Sequence, residues 1–268
     1  MKLIKPSVEY IPQEDLYKHI ELCSRICYKS EDRITEDSAK KMVDVLIKSG
    51  HGAMLEHGTV YFQRRIDFSS REYMDFEDKY SDNPYSKIVY NAGIAYVTIN
   101  LRVLVENNWL DDLKYICKPT EYHKKRYTVK FICDRGVSHE LVRHRVFSFA
   151  QESQRYCNYS KDKFGNELTF VNNPDGQQFT ETYWLMDAYE HAEKVYFRLL
   201  KEGYSPQQAR RVLPNATKTE IIMTGFEDDW KHFFDLRLRG TTGKPHPDMH
   251  HLAQLAWNEF KNKLNLEL

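Results

Sequence analysis

Arg143, His144 and Arg145 stand side by side, and the run that follows them ends in Ser153, Gln154 and Arg155. Arginine offers a planar fork of donors that meets phosphate or carboxylate bidentately. Serine, glutamine and histidine add directional hydrogen bonds suited to a sugar or a base edge. The stretch from Arg143 to Tyr156 is therefore a candidate anion site. The other reading of the same residues is a solvated, charged helix whose arginines pair with Glu140 and Glu152. Two further groups could do chemistry. His19, Cys23 and Cys27 could share a helical face, as zinc ligands can, but with no second cluster nearby they read first as part of the helix core. His246, Asp248 and His250 carry metal-ligand types at short spacing, but without a Glu base between two histidines at i, i+4.

Elements must bring these residues together. Leu16, Ile20, Cys23 and Ile26 recur at helical spacing, and Ser38 to Ser49 predicts a second helix stopped by Gly50. Gly50-His51-Gly52 leads through Glu56-His57 into an alternating strand that starts near Val60. That stretch reads either as a functional loop or as a plain helix-to-strand connection. Residues 68–125 loosen the pattern. They hold turn chemistry at Ser81-Asp82-Asn83-Pro84, β-formers from Ile94 to Leu104 and a short helix from Leu110 to Ile116, so the segment reads as an excursion. Tyr127 to Cys133 alternates as a strand. Asp134-Arg135-Gly136 then turns the chain, with Ser138 as the expected N-cap of a helix leading to the arginine cluster. Thr180 to Glu202 is a long amphipathic helix. Ser205-Pro206 starts a helix through Leu213, and His250 to Leu264 forms the last one.

The 268 residues hold 39 Lys+Arg against 39 Asp+Glu, so no overall field draws the chain to nucleic acid or an anionic membrane, and anion specificity must be local. Aromatic residues make up 13%, which suits ring stacking or a large interface. No apolar stretch is long enough to span a membrane, and the N-terminus lacks a signal peptide's apolar core. Five scattered cysteines point to reduced thiols, and the expected location is the cytoplasm. Nucleophile-elbow, Walker and dinucleotide fingerprints are missing from the sequence.

Five elements in order resemble the flavin-dependent thymidylate synthases. Arg143-His144-Arg145, seven residues and Ser153 resemble that family's R-H-R-x7-S signature. Gly50-His51 with Glu56-His57 resembles its G-H-x-S/T-x-x-E-H loop. Ala209 to Pro214 resembles its A-R-x-V-L-P helix, His232-Phe233 to Arg237 its H/N-F-x-x-L-R segment, and His246 to Met249 its A-H-P-E element. The resemblance implies a single-domain mixed α/β subunit over residues 1–268, with an antiparallel sheet flanked by helices, assembled as a homotetramer with shared active sites. It implies reductive methylation of dUMP to dTMP, with methylenetetrahydrofolate as carbon donor and reduced FAD, regenerated by NADPH, as hydride donor.

Carried over, Arg143, His144, Arg145, Gln151, His232, His51 and Glu56 would hold the flavin. Glu140, Arg143, Gln151, Glu152, Ser153, Gln154, Arg155 and Arg210 would bind dUMP. Arg237 would sit against the uracil and favour its ionisation at N3, and no cysteine would act as nucleophile. Three positions depart from the pattern. Ala53 replaces a Ser or Thr that touches the flavin, Gln151 replaces a frequent Glu, and Phe226-Glu227-Asp228 stands where N-x-R is common. The rival readings are a metal-dependent hydrolase built on His246, Asp248 and His250, and a non-catalytic nucleotide-binding module.

Overall fold

The computed structural model describes residues 1–81, 83, 85–172 and 179–266. The turn expected at Ser81 to Pro84 lies partly outside them. In chain order, strands β1 (Lys2–Ile4) and β2 (Ser7–Ile11) precede helices α1 (Leu16–Ile26) and α2 (Ser38–Lys48). A 3-10 turn at Gly52–His57 then enters β3 (Thr59–Arg65). Helix α3 (Arg71–Ser81), strands β4 (Lys87–Asn91) and β5 (Ile94–Asn100) and helix α4 (Leu101–Glu106) follow. Next come β6 (Arg126–Asp134), α5 (Arg135–Leu141), β7 (Ser148–Gln151) and β8 (Thr169–Val171). The chain ends with α6 (Phe179–Lys201), α7 (Pro206–Ala209), β9 (Lys218–Phe226), α8 (Glu227–Arg237) and α9 (Pro247–Leu264).

The fold is mixed α/β with antiparallel sheets and helices. One sheet has the order β2-β6-β9-β7, all antiparallel, and a second has the order β3-β5-β4. Alternation on β6 divides its side chains between two cores. Tyr127, Val129, Phe131 and Cys133 meet Trp230, Phe233 and Phe234 of α8 and Leu252, Ala256 and Phe260 of α9. Thr128 faces the other way, toward α1 and the 3-10 turn. There Thr128 and Thr224 link through their hydroxyls at 2.8 Å, and each holds a buried histidine, His19 at 3.0 Å and His57 at 2.8 Å. His19 is thus a core residue bonded to Thr128, not a metal ligand beside Cys23 and Cys27.

Residues 68–125 supply two strands of the second sheet, packed with α2, α3 and α4 around Phe62, Phe76, Tyr80 and Val97. The β-formers from Ile94 run as strand only to Asn100. The Asn100 side chain then accepts from Val103 N at 3.1 Å and starts α4. At the head of α5 the cap is Asp134, which accepts from Val137 N at 2.6 Å. Ser138, expected there, lies inside the helix and donates to Arg135 O. The helix from Ser205 tightens after Ala209 into a 3-10 turn through Val212.

Candidate active site

The turn carrying Arg143 to Phe147 is fixed by packing. Gly225 lacks a Cβ, and one built there would come within 2.5 Å of the Phe147 ring. Phe147 therefore packs directly against β9 and reaches Trp230, with ring centroids 4.7 Å apart. This holds His144 between Phe147 and Phe233, nearly closed off from solvent. Arg143 and Arg145 on either side stay exposed.

From α8, Arg237 reaches back to this turn. Its Nε donates to His144 Nε2 at 2.9 Å, its Nη1 pairs with the Glu140 carboxylate, and its Nη2 donates to Glu140 O at 3.2 Å. Accepting from Arg237 requires a bare lone pair on His144 Nε2, so the proton sits on Nδ1. Burial first, then Arg237 and His232, lowers the His144 pKa to about 4. The imidazole is neutral at physiological pH. Gln151, at the end of β7, donates to Ser138 Oγ at 2.9 Å and to Thr219 Oγ1 at 3.2 Å. A cavity of about 320 Å³ opens beside Glu140, bordered by Gly136, Asn215 and the His246–Asp248 stretch.

Beyond β7 the chain turns at Ser153, whose N–H donates to Cys27 O at 2.9 Å. Gln154 is buried, and its Nε2 has no hydrogen-bond partner among the described residues. Arg155 Nε donates to Gln207 Oε1 at 3.2 Å, which ties the turn to α7 just before Arg210. Arg210 in turn lies close enough to Arg135 to disfavour its charge. Among the described residues neither guanidinium makes a hydrogen bond or ion pair. Burial is the main cause that lowers the Arg135 pKa, and Arg210 adds to it. Glu152 and Tyr159 favour the Arg135 charge from a distance without bonding it, and two neighbouring guanidiniums left unbonded have donors suited to an anion. Sequence reading missed Arg135, whose one signal is its place at the first turn of a helix directly after a strand.

Glu152 is turned elsewhere. Its buried carboxylate accepts from Tyr159 Oη at 2.9 Å and from Lys218 Nζ at 2.8 Å. Lys218 also pairs with Glu220, which meets Lys29 and Lys130 at 3.0 Å. Burial alone would raise the Glu220 carboxyl, but these lysines hold it at about 2. The network braces the sheet beneath the Ser153 turn.

His51 and Glu56 do not join these groups within one chain. They belong to the 3-10 turn region on the opposite face of the sheet, where Arg102 pairs with Glu56. Ala53 sits in that same turn, exposed. His232 is exposed on α8, and Phe226-Glu227-Asp228 forms the start of that helix, where Asp229 accepts from Phe226 N at 2.9 Å. His246 caps α9 by accepting from Asp248 N at 3.3 Å. No group of three or more His, Cys, Asp or Glu is placed to hold a metal among the described residues, so His246, Asp248 and His250 do not converge as a ligand set. Burial raises the thiol pKa of Cys23, Cys27, Cys117 and Cys133, and pushes Cys157 up to about 12. None is poised as a thiolate.

A flavin-dependent thymidylate synthase of Pyrococcus abyssi is 38% identical over 108 residues, 40% of this chain and 43% of that protein. A probable flavin-dependent thymidylate synthase of Paramecium bursaria Chlorella virus 1 is 28% identical over 132 residues, 46% of this chain and 61% of that protein. The chain thus spans less than two thirds of the length of these relatives. A solved structure of the UMP/dUMP methylase PolB from Streptomyces cacaoi, bound with 5-Br dUMP, aligns over 98% of this chain and 93% of that one, with a TM-score of 0.48 and 17% identity. The family model described as thymidylate synthase complementing protein matches residues 119–264, more than half of the chain, and takes in Arg135, Glu140, His144, Ser153, Arg210 and Arg237. The chain belongs to the thymidylate synthase complementing protein family.

Proposed function

We propose that the protein is a flavin-dependent thymidylate synthase that methylates dUMP to dTMP in the cytoplasm, with methylenetetrahydrofolate as carbon donor. The observation that carries this reading is that two kinds of arginine lie within the family span. Arg237 is restrained by Glu140 and His144, whereas Arg135 and Arg210, beside the Ser153 turn, make no hydrogen bond or ion pair among the described residues. A nucleotide needs both, one cation aimed at its base and others for its phosphate.

Arg135, Arg155 and Arg210, with the Ser153 hydroxyl, hold the phosphate. The Gln154 amide offers an unused donor in the same turn. Gln151, its nitrogen fixed by Ser138 and Thr219, presents its carbonyl to a base edge. Glu140 and neutral His144 aim the Arg237 fork, which stabilises negative charge at N3 of the uracil. Glu152 contributes through its backbone, since its carboxylate is committed to Lys218 and Tyr159.

The exposed Arg143 and Arg145 suit the pyrophosphate of FAD. When bound, FAD supplies the redox chemistry: reduced by NADPH, it provides the hydride that completes the methyl group. His51 and Glu56 complete the flavin site from another subunit, because within one chain the sheet separates them from Arg143. That separation supports a homotetramer with shared sites, each subunit folded as one domain. A hydrolase reading lacks a converging ligand set among the described residues, and the raised thiols argue against a cysteine nucleophile.

The purified protein should be yellow and should form dTMP from dUMP, methylenetetrahydrofolate and NADPH. A colourless preparation that takes up no added FAD would overturn the reading, whether or not it binds dUMP.

A further inference from the structure

A second cavity, of about 440 Å³, opens where the end of β2, the start of β3, the Cys117–Pro119 segment and the start of β6 meet, at the junction of the two sheets. That volume suits a small organic ligand. It is distinct from the cavity beside Glu140. Asp134 and Asp248 line the first cavity, while Arg126 and Leu264 line the second. Along β6, Arg126 and Asp134 are about 27 Å apart at roughly 3.4 Å per residue. Along α9, Asp248 and Leu264 are about 24 Å apart at roughly 1.5 Å per residue.

The lining has a definite chemistry. Tyr10, Tyr61 and Tyr127 give it aromatic walls, and burial raises the pKa of all three phenols, so they remain neutral donors. Arg126, Lys118 and Lys125 are its cations, set against one carboxylate, the exposed Glu14. Lys118 and Lys125 make no ion pair among the described residues.

Arg126 is the unusual member. Its guanidinium is partly buried, yet it donates only to neutral oxygens: Glu56 O at 3.1 Å, Thr59 Oγ1 at 3.2 Å and Ser148 Oγ at 3.5 Å. Its Nε has no partner, and burial pushes its pKa down to about 10. Glu56 and Asp229 favour its charge from a distance, but no carboxylate bonds the guanidinium, and an anion in the cavity would give it a direct counter-charge.

We propose that this cavity binds a small anion with an aromatic body, its carboxylate or phosphate among Lys118, Lys125 and Arg126 and its ring against Tyr10, Tyr61 and Tyr127. The site is independent of the dUMP reading, since it shares no residue with it. Calorimetric titration of the whole protein with phenyl phosphate, benzoate and inorganic phosphate tests it. The background is an Arg135→Ala/Arg210→Ala variant, in which the proposed phosphate site beside Ser153 is weakened, so that binding lost on changing the lysines is assigned to this cavity. At least one aromatic anion should bind at one equivalent per chain, at least tenfold tighter than inorganic phosphate, and the tighter of the two identifies the head group. Adding Lys118→Glu and Lys125→Glu, both at exposed positions, should weaken it at least tenfold. Unchanged affinity in the lysine variant, binding no tighter than inorganic phosphate, or no saturable binding would each overturn the proposal.

Discussion

Arg237 and Arg135 are both partly buried arginines within the family span, yet they are handled in opposite ways. Arg237 spends all three guanidinium nitrogens on the protein, on His144, the Glu140 carboxylate and the Glu140 carbonyl. Arg135 spends none among the described residues and faces another cation, Arg210. The difference separates two tasks. A cation that must act on a developing charge gains from being aimed before the ligand arrives, because reorganisation then costs nothing during the reaction. A cation that must capture a permanent anion gains from having no internal counter-charge for the ligand to displace. Glu152 favours the Arg135 charge only from a distance, because its carboxylate is bonded to Lys218 and Tyr159.

The largest effect is expected at the restrained side. Arg237→Ala should cut the rate of dTMP formation by roughly 10²–10³-fold, about 3–4 kcal/mol, as when a preorganised donor to developing charge is removed. Flavin absorbance should be unchanged. Full turnover with saturating dUMP would reduce the Glu140–Arg237–His144 cluster to a packing element. At the open side, Arg135→Ala or Arg210→Ala should weaken dUMP binding by roughly ten- to a hundredfold, since a charge-assisted hydrogen bond contributes about 1.5–3 kcal/mol. The ligand-free protein should melt no lower, because each substitution relieves like-charge repulsion. A melting temperature several degrees lower would show that these arginines are tied within the free protein, and the contrast with Arg237 would fail.

Periodicity made much of the fold legible. Helices α1, α2, α6 and α9 announce themselves by apolar spacing and capping residues, and β6 by alternation with one face on each core. Strand β9 was not legible, for a physical reason. It lies between β6 and β7 and is almost wholly buried, so Thr219, Glu220 and Thr224 sit inside as well as Ile221, Ile222 and Met223. Burial on both faces erases the alternation that marks a strand. Strand β7 was hidden by its length, four residues, and by the charged cluster around it. At the site, Arg143, Ser153 and Arg237 stood out through motif resemblance. Their contacts did not, because the partner of Arg237 is a histidine far back in the chain. Arg135 escaped for the same reason. Its meaning comes from Arg210, which only the packing of α7 against the Ser153 turn brings near.

The smallest expected effect, per group, tests whether the restrained side is as well built as its distances suggest. His144 binds Arg237 only while its Nε2 is unprotonated. Burial, reinforced by Arg237 and His232, keeps its pKa at about 4. Burial does the same for His19, at about 4, and for His57, at about 3. All three folded-state values lie below the ordinary 6.5, so the unfolded chain takes up protons that the folded chain refuses. Stability is therefore fully present above about pH 6.5 and falls as the pH drops toward the folded values, by about 1.4 kcal/mol per histidine at pH 5.5. Glu220, held at about 2, adds its own loss only below its ordinary 4.5, so it does not contribute in that window. The melting temperature should accordingly drop between pH 7.5 and 5.5, while the acid limb of turnover that belongs to His144 should appear only near pH 4. A melting temperature flat across that interval would mean that the three rings ionise in place. His144 would then be a cation facing Arg237, with no lone pair to accept its Nε, and Arg237 would be no better aimed than Arg135.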